Sequence, residues 1–332
     1  MKRVGSEERL DRRQVLLTSG VVAGGVLATG GAALARGPDD GMPDGRDGGR
    51  QGPPAKATPL PVTQLEQILM VPGNVSSTGA VSFQFNRNDL TVYRNGVLFL
   101  PSFEINGMIA FQGLGDDKAI FNGNVALLDR EIDPFIDGLL HNGFVFQAFH
   151  QHFYDLNPQT WHIHFRGVGV ATQLADGISA ILRNRTTTPL PQYRPAQTSP
   201  LDANALAKIL GGSATYGDYG VVKVTVPRAD RIVLGGIPIV GDLGVSLNVF
   251  FQPTGRGDTA VVSPDFPLTA QEVQPVIMTM RRQGWDINCL YNQETDEFPQ
   301  LYFSHQLKIG SANQLAREIR NGANLVNLMF SS

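Results

Sequence analysis

The chain contains one pattern twice, and that repetition limits its possible folds more than any local motif does. Shifted by 141 residues, the halves align: Leu65, Ile68 and Leu69 fall on Leu206, Ile209 and Leu210, and Arg87 and Asp89 on Arg228 and Asp230. Glu131, Pro134 and Ile136 fall on Glu272, Pro275 and Ile277, Gly143 on Gly284, and Pro158 and Gln159 on Pro299 and Gln300. The match continues from His164, Gly169, Gln173, Leu174, Ala175 and Ile178 onto His305, Gly310, Gln314, Leu315, Ala316 and Ile319. Between these blocks, FQGLG at Phe111 and FQPTG at Phe251 match at a shift of 140, a one-residue indel that is later restored. A register held over about 120 residues marks a duplication, so the two halves must share one fold.

Each copy reads alike. A short helix with apolar periodicity opens it, over 63–70 and 203–210, and extended segments follow, beginning with VSFQF and VVKVTV. A second helix starts in REIDPFIDGLLHNG and in AQEVQPVIMTMRRQG; in copy two Thr269 caps it, Glu272 follows three residues on, and Gly284 ends it. Two strands and a last helix, over 169–182 and 311–319, complete the unit. Strands joined by hairpin loops, with sparse helices, predict an α+β fold. It is read as two tandem homologous units, each a mostly antiparallel sheet with helices packed on one face. Repeat one is placed at 62–185 and repeat two at 201–332, joined by a Pro-rich linker over 186–200.

Residues 1–35 read as an address. A charged start precedes an apolar stretch broken by Gly, Ser and Thr, and Ala33, Leu34 and Ala35 supply a small-residue cleavage site. Arg12 and Arg13, just before Val15, Leu16 and Leu17, resemble the twin-arginine export signal, so the chain is expected to be exported to the periplasm or beyond. An uncleaved membrane anchor is the alternative, while the mature part is expected to carry no transmembrane helix. Residues 36–61, rich in Gly and Pro, are expected to be a disordered spacer. Removing the first 35 residues leaves 22 basic against 27 acidic groups, a balance of −5, which gives no footing for nucleic acid. The single cysteine, Cys289, excludes an internal disulfide and a thiolate zinc cluster, and is read as buried and inert.

Four of the six histidines fall within 15 residues, in AFHQHFYDLNPQTWHIHFRG. Both pairs are H-x-H, and alternate residues of a strand share a face. In a hairpin centred on Asn157, His150 would lie across from His164 and His152 across from His162, putting four imidazoles on one face with Arg166. Val145, Phe149, Phe153, Trp161, Ile163 and Phe165 would face the core. Three readings remain: a shared cation, histidines bonded to neighbours, or a metal-free polar pocket. Mutual repulsion when protonated favours the cation, with His150, His152 and His164 as ligands and His162 as a fourth or a supporting group. Imidazole donors suit zinc first, then copper, nickel or iron, and disfavour magnesium and calcium. Copy two places Tyr291, Gln293 and Phe303 where His150, His152 and His162 stand, so only His305 persists and that half is expected to have lost the site. Arg87/Asp89 and Arg228/Asp230 read as strand-end ion pairs, and Glu131 and Glu272 as helix-start residues.

The blocks GVVKVTVPR from Gly220, FFQPTGRGD from Phe250, DFPLTAQEVQPVI from Asp265 and FHQHFYDLNPQ from Phe149 resemble those of the LppY/LpqO lipoprotein family, a domain of unknown function (DUF1259). The resemblance spans nearly the whole mature chain. It implies that His150 and His152 match the family's H-x-H and His164 its later histidine, while His162 replaces an apolar residue. The family's acidic residue after H-x-H falls on Leu156 here; copy two keeps it as Glu297, and Asp155 is the stand-in in copy one. The family's N-terminal lipoprotein cysteine is missing. Two functions follow as expectations: a metal-dependent protein working as a hydrolase, or a non-catalytic module binding a small ligand or a metal ion. Replacing Arg12 and Arg13 with Lys is expected to leave the precursor in the cytoplasm, as read by cell fractionation; normal export of that variant would exclude the twin-arginine reading.

Overall fold

A computed structural model describes residues 57–331. The expected signal segment with Arg12 and Arg13, and the spacer as far as residue 56, lie outside the described residues. Repeat one runs α1 (Val62–Leu69), β1 (Gly73–Val75), β2 (Val81–Asn86), β3 (Val92–Arg94), β4 (Val97–Phe99), β5 (Asn106–Gly115), β6 (Lys118–Leu127), α2 (Ile132–His141), β7 (Val145–His150), β8 (Trp161–Val170) and α3 (Ala171–Arg185). Repeat two runs α4 (Ala203–Leu210), β9 (Ser213–Tyr216), β10 (Val222–Val226), β11 (Ile232–Leu234), β12 (Ile237–Ile239), β13 (Leu247–Pro253), β14 (Thr259–Leu268), α5 (Ala270–Arg282), β15 (Asp286–Ile287), β16 (Glu297–Phe298), β17 (Tyr302–Ser311) and α6 (Ala312–Ala323). The two six-stranded sheets are antiparallel throughout and share one order, β1-β2-β5-β6-β8-β7 and β9-β10-β13-β14-β17-β15. The α+β duplication expected from the sequence is therefore the observed architecture.

Alternation along the strands decides the layering. In repeat one, Phe83, Phe111, Phe121, Ile163 and Phe165 turn to one face, where Leu65, Phe135, Leu139, Leu174 and Ile178 of α1, α2 and α3 cover them. Repeat two does the same with Val224, Val249, Phe251 and Phe266 beneath α4, α5 and α6. The opposite faces meet the other repeat. The β3–β4 arm of repeat one, with Val92, Phe99 and Phe103, packs against Val261 and Leu307 of the second sheet. Reciprocally, the β11–β12 arm, with Ile232, Leu234 and Ile239, packs against Ala110 and Ile120 of the first. These crossed arms hold the sheets face to face with a polar layer between them.

The segments read as loose are partly fixed. Ala57 is buried and Thr58 bridges to Gly113, so the last residues of the expected spacer belong to the fold. In the 186–200 linker, Gln192 is buried and exchanges hydrogen bonds with the Asn86 backbone, and the Thr187 N–H donates to Glu131.

The recurring Arg and Glu form one device in each repeat. Arg87 contacts Asp89 at 2.9 Å and Glu131 at 2.8 Å and donates to the Ala126 carbonyl. Arg228 contacts Asp230 and, at 2.8 Å, Glu272, and donates to the Pro267 carbonyl. Glu131 and Glu272 also accept from the backbone N–H groups of Leu128 and Thr269 at 2.8 and 2.7 Å, so each carboxylate both starts a helix and neutralises an arginine. The neighbouring arginine and these N–H donors outweigh burial and hold both carboxyls below their usual range. With Arg87 only 1% exposed, removing Glu131 leaves the arginine's buried charge to the partly exposed Asp89 alone and frees the Leu128 and Thr187 donors. Glu131→Ala is therefore expected to cost about 3–5 kcal/mol in denaturant unfolding, whereas replacing Arg87 and Glu131 together by apolar residues costs less than the single change.

Candidate metal centre

The histidine strands keep the predicted face but not the predicted register. His150 lies opposite His162, and Ala148 opposite His164, two residues away from the expected pairing. The equivalent bridge in repeat two, Tyr291 with Phe303, repeats this register. The cause is the connection after His150. It leaves the sheet and is pinned by paired backbone hydrogen bonds between Asn157 and Tyr93 of the arm, at 2.8 and 2.9 Å. A slip of two residues preserves facing, so all four histidines stay on one side. Val145 does not keep its expected face: an irregularity between Phe146 and Ala148 turns it to the side of Arg166. Phe149 stacks on Trp161 at the sheet edge and remains 43% exposed, so this part of the expected core is only half covered.

Contacts among the imidazoles run diagonally. His150 Nε2 is 2.9 Å from His164 Nε2, one ring donating to the other. His152, in the connection beyond the strand, stacks on His162 with centroids 3.4 Å apart, and on His305 at 3.8 Å. His305 thus belongs to the same cluster. The expectation that repeat two had lost the site, leaving His305 alone among Tyr291, Phe303 and Leu307, is corrected: the two repeats face each other, so the persistent histidine of one completes the group of the other.

Two carboxylates escaped the sequence reading. Glu104, in the turn after the β3–β4 arm, places Oε2 2.8 Å from His152 Nδ1 and 3.7 Å from His305 Nε2, while Ser263 Oγ donates to its Oε1 at 2.8 Å. Asp265 stands opposite His305 in the β14–β17 ladder, its Oδ1 3.7 Å from Nδ1. The His152–Glu104 approach is too oblique for a hydrogen bond, and both ring nitrogens of His152 and His162 and Oδ1 of Asp265 are buried without a hydrogen-bond partner among the described residues. Donors crowded together without bonding one another are what a cation requires. Ligands about 2.1 Å from a tetrahedral ion stand about 3.4 Å apart, and donor atoms of Glu104, His152 and His305 all lie within 4.8 Å of one another. This buried trio can hold a metal ion.

Burial sets the electrostatics. It lowers His150 to about 3, and it holds His152, His162, His164 and His305 well below the usual imidazole range, assisted by neighbouring histidines. The rings are neutral, as ligands must be. Burial raises Glu104 to about 8, with the nearby Asp265 adding to the shift, and raises Asp265 to about 7.

The remaining candidates lie elsewhere. Asp155 is engaged by Arg94 at 2.6 Å and by Asn95, away from the cluster, because the connection carries it toward the arm. Arg166 donates to the Thr295 carbonyl at 2.8 Å and ties the first sheet to the second repeat. Glu297 accepts from the Leu301 N–H at 2.9 Å and fixes its own loop; burial raises it to about 8. Cys289 is half-buried, with Sγ 3.3 Å from His305 Nδ1 and its thiol pushed up by burial.

The duplication explains why there is one such trio. Between the arm and the FQ blocks the register is 140, so Glu104 corresponds to Gly244. Both take left-handed backbone, φ 66° and 91°. The counterpart of Glu104, His152 and His305 is therefore Gly244, Gln293 and His164, which lacks a carboxylate and one imidazole. An L-residue in that conformation is strained by roughly 1–2 kcal/mol, a cost that accompanies functional positions. Glu104 left a faint signal in the sequence, an acid aligned with a turn glycine, while Asp265 opens the DFPLT block itself.

Fold and site define a duplicated α+β protein with a buried imidazole–carboxylate centre between its repeats. Residues 63–184 and 204–325, again offset by 141, match the family described as Domain of Unknown Function (DUF1259), and the chain belongs to that family. No curated protein matches the chain, and no solved structure does. No helix among the described residues is long and apolar enough to cross a membrane. In chelator-treated protein, Glu104→Gly is expected to raise the melting temperature by roughly 2–5 °C, since it relieves the backbone and removes a buried carboxyl. A lower melting temperature would show that the Ser263 bond outweighs both effects.

Proposed function

We propose that Glu104, His152 and His305 hold a divalent transition metal, zinc in the first instance, and that the protein is a metal-dependent hydrolase of small molecules. One observation carries this reading: two imidazoles and one carboxylate converge from both repeats, and their donor atoms lie within 4.8 Å of one another. Two histidines and a glutamate with an open fourth position are a donor set of catalytic rather than structural zinc. Such an ion supplies Lewis acidity and makes water acidic near neutral pH. The chain supplies the rest. Ser263 fixes Glu104 through Oε1, leaving Oε2 toward the histidines. Asp265 stands opposite His305 in the ladder, and its Oδ1, which has no hydrogen-bond partner among the described residues, is placed to take a proton. His162 stacks on His152 and His164 pairs with His150, so these rings pack around the group. The setting we propose for this activity, outside the cytoplasm, rests on residues 1–35 alone.

Elemental analysis of the protein purified without a histidine tag is expected to give about one metal ion per chain. Glu104→Gln, His152→Ala and His305→Ala should each lower it well below that, and His162→Ala should lower it less. Asp265→Asn should keep the metal and lose hydrolysis of activated esters. Metal content unchanged in both Glu104→Gln and His305→Ala would remove the site.

A further inference from the structure

Two cavities adjoin the centre. The inner one, about 70 Å3, is lined by Glu104, His152, His305 and Asp265, room for a few water-sized groups. The outer one is far larger, about 400 Å3, and lies between the sheets' far strands and the linker. Gln84, Met108 and Lys223 line both. None of the residues lining the outer cavity is acidic, whereas two, Lys223 and Arg194, are basic, and Tyr193 and Tyr216 add aromatic surface.

The cations differ in what they already bind. Arg194 is exposed and engaged by Glu66 at 3.1 Å and by the Gly73 carbonyl. Lys223 Nζ has no ion pair within 4 Å among the described residues: its contacts are Met108 Sδ at 3.7 Å and the Phe250 ring at 5.9 Å. A thioether and a ring face are weak partners for an ammonium group. Burial lowers Lys223 from the usual lysine range, opposed by Asp242 and Glu104 from beyond ion-pair distance, and Asp242 is itself occupied by the hydroxyls of Ser76 and Thr78. An ammonium group in the wall common to a metal centre and an acid-free cavity is placed to hold an oxyanion.

We propose that the outer cavity binds a small organic anion, a carboxylate or phosphate ester. Its anionic group sits on Lys223, its body lies against Tyr193 and Tyr216, and its reacting end is directed to the inner cavity. The last clause rests on the reading of Glu104, His152 and His305 as a metal centre; the binding site itself does not. Arg194, Gln84 and Gln197 also line the cavity, but their donors are engaged by Glu66 and the Gly73 carbonyl, by Asn86, and by the Pro195 carbonyl, which leaves Lys223 as the weakly partnered one. In this arrangement Lys223 is a binding residue that selects charge, and a neutral molecule of the same shape leaves its ammonium as poorly partnered as before.

Isothermal titration of the full chain with benzoate, phenyl phosphate and neutral benzamide tests this, with and without prior chelation. Both anions are expected to bind more tightly than benzamide, and the better of the two identifies the anionic group. Lys223→Gln should weaken that anion roughly tenfold or more, and Lys223→Arg should retain most of it. Chelated protein should still bind, so loss of the metal reading and loss of this site give different results. The proposal is overturned if neither anion binds at millimolar concentration, or if benzamide binds as well. It is also overturned if Lys223→Gln, shown folded by its circular dichroism melt, binds as the parent does. Binding that survives Lys223→Gln but vanishes on chelation would put the anion on the metal instead.

Discussion

Five imidazoles and two carboxylates are sealed between two sheets, and the rest of the molecule is arranged around making that layer tolerable. A buried polar atom without a partner costs about 1–3 kcal/mol. Several such atoms together rival the net stability of an ordinary domain, roughly 5–15 kcal/mol. The layer answers in three ways. Burial keeps the histidines neutral and raises the carboxyls of Glu104 and Asp265, to about 8 and about 7, which lowers the charge the layer must carry. Ser263 holds one oxygen of Glu104. The donors left over face one another at distances that suit a shared cation, so a metal held there would add to the stability of the interface between repeats.

Rigidity at that interface comes from elsewhere. The apolar arms cross from each repeat onto the opposite sheet, and the Arg87 and Arg228 clusters lock strand ends to helix starts on the outside. The inner layer therefore carries little of the burden of holding the fold. That leaves Glu104 free to occupy a strained turn conformation that its counterpart meets with glycine.

Much of this was legible in the sequence. The 141-residue register announced two copies of one fold, and strand alternation assigned the histidines to a single face. The helix starts followed from Glu131 and Glu272. What remained hidden depended on contacts between distant segments. A hairpin drawn from residue numbers assumes that strands continue to the turn, but Tyr93 of the arm captures Asn157 and ends pairing at His150. Glu104 has no local signature, because its meaning comes from a sheet some 160 residues away. His305 looked abandoned within its own repeat, since nothing in one copy says that its inner face meets that of the other.

The crossed arms bear on how such a chain arose. A polypeptide with one repeat would leave its arm and its inner sheet face uncovered, so a stable form would pair with a second copy of itself. Such a symmetric pair presents two identical clefts, and every mutation strikes both. Joining the copies in one chain ends that constraint. Glutamate at one turn and glycine at its twin, His152 against Gln293, and Asp265 against Asn124 are differences that only a fused gene can keep. Asymmetry of this kind lets one cleft keep a buried imidazole–carboxylate group while its twin is released to become framework.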